Sequence, residues 1–181
     1  MKHIVIALLL CAGTLFAGEV GFPEGKISRD WNVDIGKEFG GTLTRCYQEY
    51  LPDGKPAICL QGLFEHGGTY CILSRAIKPC DFNGVEIEVA RGNFRLLRIR
   101  LTDETGQTFM MQYELKGAPQ EIVKMTCTIE NGVKAAVYGG ANDGKWHGKL
   151  TRLGLLADSG VAESGNRSPK IYFRSVKLIE K

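Results

Sequence analysis

The chain reads as an all-β protein, a two-sheet antiparallel β-sandwich with jelly-roll connections. Three features predict it. Apolar and polar residues alternate strictly in short segments, turn residues punctuate the sequence about every ten positions, and no window carries the apolar stripe of a helix. Successive side chains of a strand point to opposite faces, so alternation means one dry face and one wet face. A chain with many such strands covers the dry faces by laying two sheets against each other.

The start of the chain, Met1-Lys-His, precedes an apolar run, Ile4–Ala17, that is too short to span a bilayer. This is the pattern of a signal peptide ending at Ala17, and it predicts a secreted or periplasmic protein. Cys11 follows the bulky Leu10, where lipid attachment requires a small residue. No later segment is long and apolar enough to be a transmembrane helix. Residues 18–30 are expected to form a flexible mature N-terminus, and residues 31–181 one β-sandwich domain.

Trp31, in Asp30–Asp34, is read as a core or sheet-edge residue of the first strand, with a rim platform as the alternative. Further strands are expected near 41–47, 57–64 and 70–77. Next come Val85–Val89, with Glu86 and Glu88 outward, and Leu97–Leu101, with Arg98 and Arg100 outward. In Phe109–Leu115 the odd positions face the core and Met110, Gln112 and Glu114 face water. In Val123–Ile129, Lys124, Thr126 and Thr128 face outward. Segments near 150–156 and 170–179 complete about nine strands by the alternation rule. Arg98, Arg100, Gln112, Glu114 and Lys124 are expected to gather into one polar patch.

The formal net charge is +3, and basic and acidic residues alternate along the chain. That balance argues against nucleic-acid or polyanion binding as the main role, because such partners call for a basic stripe. Of six cysteines, Cys11 lies in the leader, leaving Cys46, Cys59, Cys71, Cys80 and Cys127. An odd number leaves at least one unpaired within the chain. Cys59 and Cys71 lie symmetrically about the turn Glu65–Gly68, where a hairpin would oppose them; buried thiols on strands are the other reading. The scattered histidines and the lack of a C-x-x-C pair argue against zinc.

Five segments carry a resemblance: Phe64–Tyr70, Cys80–Val85, Arg100–Phe109, the loop Gly139–Gly148 running into Leu150–Asp158, and Ile171–Leu178. In this order they resemble the galactose-binding-like jelly rolls that serve as carbohydrate-binding modules beside bacterial glycoside hydrolases, over most of residues 37–179. The resemblance implies a non-catalytic sandwich with a carbohydrate ligand on a sheet face or at the loop rim. It also implies separately secreted glycoside hydrolases as partners and, in many members, a structural calcium. Asp158, Glu38 and Asp34 are carboxylates able to supply oxygens, but Arg174 and Ser175 stand in the last strand where members with that ion carry an acid.

A sugar needs a flat apolar surface for its C–H face and planar hydrogen-bonding groups for its hydroxyls. The loop Gly139–Gly148 supplies Trp146 with the adjoining Tyr138 as platforms and Asn142 and Asp143 as hydroxyl partners. Asn-Asp-Gly is equally the chemistry of a tight turn, and a tryptophan after a turn can pack on the sandwich end. Arg98, Arg100, Gln112 and Glu114 form the second candidate surface. A jelly-roll polysaccharide lyase would use a base such as Tyr113 with Arg100 and Gln112 to neutralise a uronate, but no catalytic motif marks them. An envelope or extracellular assembly module, docking through an unpaired cysteine or an edge strand, is the remaining alternative.

Overall fold

A computed structural model describes residues 16–36 and 43–180, with side chains from residue 20 onward. Residues 1–15 of the expected signal peptide and Glu38 lie outside the described residues, and Phe16 and Ala17, the last two positions of that expected segment, open the first strand. The described residues form twelve strands: β1 (Phe16–Glu19), β2 (Trp31–Asp34), β3 (Leu43–Tyr50), β4 (Pro56–Leu63), β5 (Tyr70–Cys80), β6 (Phe82–Arg91), β7 (Leu96–Thr102), β8 (Thr108–Glu114), β9 (Ile122–Cys127), β10 (Val133–Tyr138), β11 (Leu150–Asp158) and β12 (Lys170–Glu180).

They form two six-stranded antiparallel sheets. The first runs β3-β4-β12-β6-β9 with β1 against β12, and the second runs β10-β8-β7-β11-β5-β2. The chain passes repeatedly from one sheet to the other, which is the jelly-roll route. Their inner faces meet in one core. Ile58, Leu60, Val85, Ile87, Val89, Ile171 and Phe173 face Leu73, Leu97, Ile99, Leu101, Phe109, Met111, Leu153 and Leu155, none more than 1 % exposed. Each such side chain contributes roughly 1.5–3 kcal/mol by leaving water.

The alternation expected for β6, β7 and β8 is realised residue by residue. In β12 a bulge places Arg174 and Ser175 opposite Glu88 alone, between the pairs Phe173↔Val89 and Val176↔Ile87. The extra residue resets the parity, so Phe173 and Val176 both reach the core. β10 escaped the sequence reading for a similar reason. Its register shifts between Lys134 and Ala136, and its two alanines give a weak apolar signal.

The expected flexible start is corrected. Phe22 is 1 % exposed, with its ring centroid 5.0 Å from that of Trp31 and 6.4 Å from that of Phe173. The Trp31 indole N–H donates to the Val20 carbonyl at 3.0 Å. Gly21 lets this segment pass close to β12, since a Cβ there would lie 2.7 Å from the Val176 nitrogen. The glycines and proline that suggest a loose tail therefore permit close packing, and Phe22 supplies the reason for it. Trp31 is a core residue, as expected.

The Cys59–Cys71 juxtaposition is also corrected. β4 and β5 belong to different sheets, so the turn between them crosses the sandwich and makes no hairpin. Cys59 faces outward in a small cluster with Ala57, Ala90 and Tyr172, whereas Cys71 lies in the core between the sheets. All five described cysteines are free thiols. Burial pushes Cys46 and Cys127 up to about 12 and Cys59 and Cys71 up to about 11; burial also raises Cys80, which is the other partly exposed thiol besides Cys46. Thiolates are the reactive species. Alkylation of the folded chain at mildly basic pH should therefore modify Cys80 first, with Cys46, Cys59, Cys71 and Cys127 reacting only on unfolding. Peptide mapping by mass spectrometry checks it, and early labelling of Cys71 would contradict the core packing described here.

Candidate functional site

The outward residues of the second sheet are fixed by its register. One row across the strands is Ser74–Gly154–Arg100–Met110–Ala136, and the next is Ala76–Arg152–Thr102–Thr108–Tyr138. Between them lies a depression of about 210 Å³ whose walls include Asp34, Ile72, Ser74, Arg100, Arg152 and Tyr138. Gly154 opens it, because a Cβ at this position would lie 2.5 Å from the Ile72 Cδ1 and 3.4 Å from the Arg100 Cβ. A glycine inside a strand marks such a place.

Ile72 contributes an apolar side chain to its lining and belongs to a small outward cluster with Tyr70 and Leu156, against which Met110 packs. The guanidinium of Arg100 lies over the Tyr70 ring at 4.3 Å from its centroid and faces the Tyr138 ring at 5.8 Å. Cation–π contact holds the three planar groups together. The Thr102 and Thr108 hydroxyls are 2.9 Å apart on the same rim. Beside the depression, Arg98 donates to Asp158 at 2.6 Å, and its other terminal nitrogen lies 3.5 Å from the Gln112 Oε1. Arg98, Arg100 and Gln112 thus share one face, as expected. Glu114 sits at the end of β8 opposite Leu96, displaced from the depression. Lys124 does not join the patch: β9 belongs to the other sheet, where Lys124 pairs with Glu86 at 2.8 Å.

The loop Gly139–Gly148 is organised by a buried acid that the sequence reading did not single out. Asp103 is fully buried; its Oδ1 accepts from the Thr105 N–H and hydroxyl and from the Gln107 N–H, and its Oδ2 accepts from the His147 N–H. Gln107, also fully buried, binds the loop through its amide, which donates to the Lys145 carbonyl and accepts from the Gly144 N–H. Gly140, at φ +47°, lies so close to the Gln107 backbone that no side chain would fit.

Within this loop Asn142 is an exposed turn residue with positive φ. Asp143 accepts from the Lys145 N–H at 2.9 Å and meets the His147 Nε2 at 3.0 Å, contacts that hold its carboxyl down at about 2. Trp146 is half-buried, stacked at 5.4 Å from Phe82 and 5.5 Å from Phe109, with its N–H donating to the Gly148 carbonyl. The ring closes the end of the core between the two sheets. Tyr138 is 41 % exposed and lines the depression. The loop and the sheet face are therefore separate surfaces that meet at Tyr138.

Residues beyond the expected set complete the face: Gly154, Tyr70, Ser74 and Arg152. Only Gly154 carried a local signal, as a glycine within an apolar strand. The lyase constellation does not assemble. Tyr113 points away from Arg100 and Gln112 into the core, its hydroxyl donating to the Thr128 carbonyl at 2.7 Å. Of the carboxylates able to supply oxygens to calcium, Asp158 is engaged by Arg98 and the Gly160 N–H, and Asp34 accepts the Gly36 N–H. No cluster of three or more metal-binding side chains occurs among the described residues, nor does any helix there long and apolar enough to cross a membrane.

No protein-family model matches the chain, and no curated protein sequence matches it. Solved structures do. The fold is similar to the family 11 carbohydrate-binding module of the cellulosomal cellulase Lic26A-Cel5E of Clostridium thermocellum, with a TM-score of 0.62, 11 % identity, and coverage of 91 % of this chain and 95 % of that module. It is also similar to part of an exo-β-agarase, with a TM-score of 0.54, 8 % identity, and coverage of 94 % of this chain and 25 % of the agarase. A second agarase, AgWH50C, gives a TM-score of 0.51 at 10 % identity, over 91 % of this chain and 25 % of the enzyme. At these identities the likeness is one of fold: a jelly-roll sandwich of the kind found in carbohydrate-binding modules.

Burial works to raise the Asp103 carboxyl, yet the Thr105 hydroxyl and the surrounding N–H groups hold it below the ordinary carboxylate range. A carboxyl depressed in the folded state stabilises it above the unfolded value, and that contribution is lost as pH falls through the folded one. Asp103→Ala should thus lower the unfolding free energy by about 3 kcal/mol at neutral pH, having stranded several buried donors. The variant should also lose less stability than the parent on acidification below about pH 4. Denaturant titration at the two pH values measures both effects.

Proposed function

We propose that the protein is an exported, non-catalytic carbohydrate-binding module-like protein, and that it holds a poly- or oligosaccharide across the outer face of the second sheet. The Gly154 depression carries this reading. It combines the Ile72 side chain and the Tyr138 ring, the Arg100 guanidinium held over the Tyr70 ring, and the hydroxyls of Thr102 and Thr108. These are the complements of a pyranose, which has an apolar C–H face and a girdle of hydroxyls. Residues on rigid strands hold their positions before a ligand arrives, which lowers the ordering cost of binding.

The fold shared with a cellulase's carbohydrate-binding module and with parts of two agarases supports a sugar over other ligand classes. Glycoside hydrolases secreted separately are the partners this reading implies. The basic start and apolar run of residues 1–17 support export. Trp146 and the tip of its loop act chiefly as structure here, and Tyr138 links that structure to the ligand face.

Retention of the chain lacking residues 1–17 on a panel of polysaccharides and oligosaccharides is the direct test. Tyr138→Ala should weaken binding by about 1 kcal/mol, roughly fivefold in Kd. Trp146→Ala should instead lower the denaturation midpoint and leave the affinity of the folded fraction near that of the parent. If the Trp146 variant folds but loses the sugar while the Tyr138 variant keeps it, the ligand belongs to the loop. Co-purification with an envelope protein and no glycan retention would point to docking instead.

A further inference from the structure

Two cations of the depression have no carboxylate partner. Arg100 and Arg152 form no ion pair with any described residue, although other basic groups on the two outer faces do: Arg98 with Asp158, Lys124 with Glu86, Lys170 with Glu49 and Arg174 with Asp53. The buried Arg100 Nε has no hydrogen-bond partner. Arg152 is exposed at the rim. Among the described residues Asp34 is the one carboxylate lining the depression; it accepts the Gly36 N–H and forms an ion pair with neither arginine. Because Arg100 stands opposite Gly154 and Arg152 opposite Thr102, the two are diagonal neighbours on β7 and β11. Such positions lie about 7–8 Å apart, within the reach of two long side chains toward one group.

A guanidinium presents a planar fork of donors that matches a carboxylate or sulfate, and it is worth most where water is partly excluded. We infer that the saccharide bound at the Gly154 depression carries an oxyanion, a carboxylate or a sulfate, engaged by Arg100 and Arg152. This rests on the reading of the face as a sugar site and names the class of sugar. It also refines the charge argument from sequence: an overall balance of charge along the chain still allows two arginines to line one depression without an ion pair to any described residue.

The test compares ligand pairs that differ only in charge: oligogalacturonate with its methyl ester, and a sulfated galactan with its desulfated form. Calorimetry should show one charged member bound at least tenfold more tightly than its neutral counterpart, with a preference that shrinks as salt is added. Whichever pair shows the preference identifies the oxyanion. Arg152→Gln, an exposed change that leaves the fold intact, should erase most of it. Arg100→Lys, which keeps the charge and loses the fork, should reduce it in part. Equal binding within both pairs overturns the inference and leaves the sugar reading standing. An unchanged preference in both arginine variants overturns the residue assignment. Retention of no saccharide at all overturns the reading beneath it.

Discussion

Everything in this molecule follows from the two-residue period of a strand whose one face must be dry. Ile99 and Leu101 can reach the core only if Arg98, Arg100 and Thr102 point out, and the same parity fixes β8 and β11 on either side. A slip of one residue would carry the arginines into the core and the leucines into water. The hydrophobic effect thus specifies which polar groups are displayed as well as which apolar groups are hidden. The bulge at Arg174–Ser175 illustrates how tightly this is held, since one additional residue is absorbed so that Val176 and Leu178 return to the core.

Against that scaffold, the residues that brace the end loop differ from those that line the proposed ligand face. Asp103 and Gln107 fasten the end loop from inside, and the Trp146 ring seals the core beneath it. A buried carboxylate with this many donors stabilises only as a complete set, because a missing donor or acceptor leaves a desolvated polar group. Tyr138, the last residue of β10, stands where the braced loop begins, and its side chain lines the depression near Arg100.

What could be read from sequence divides along the same physical line. Alternation in Val85–Val89, Leu97–Leu101 and Phe109–Leu115 is local, and it named the outward residues correctly, including Arg98, Arg100 and Gln112. Which sheet a strand joins depends on contacts far along the chain, so Lys124 was grouped with the wrong face and Cys59 was set opposite Cys71. Asp103 and Gln107 look like ordinary turn residues until their long-range donors and acceptors are seen. Trp146 has the same composition around it whether it faces a ligand or the core; only Phe82 and Phe109 decide. Phe22 made an apparently loose start into a packed one because a single buried aromatic ring outweighs several permissive backbone positions.

On the proposed reading, the placement of Arg100 between two tyrosines lets a sheet face recognise a ligand without a deep cleft. A solvated arginine would lose much side-chain entropy on binding, and an exposed pair of charges is worth little in water. Here the guanidinium is already confined by Tyr70 and Tyr138, so that ordering is complete before any ligand arrives. Gly154 matters for the same reason, since the absent side chain leaves open the space where a Cβ would meet Ile72 on one side and Arg100 on the other. Affinity on such a surface comes from several modest contacts held at fixed spacing, and selectivity comes from the positions where one group has no internal partner. On this face those positions are the two arginines, one stacked and half-buried, the other open at the rim.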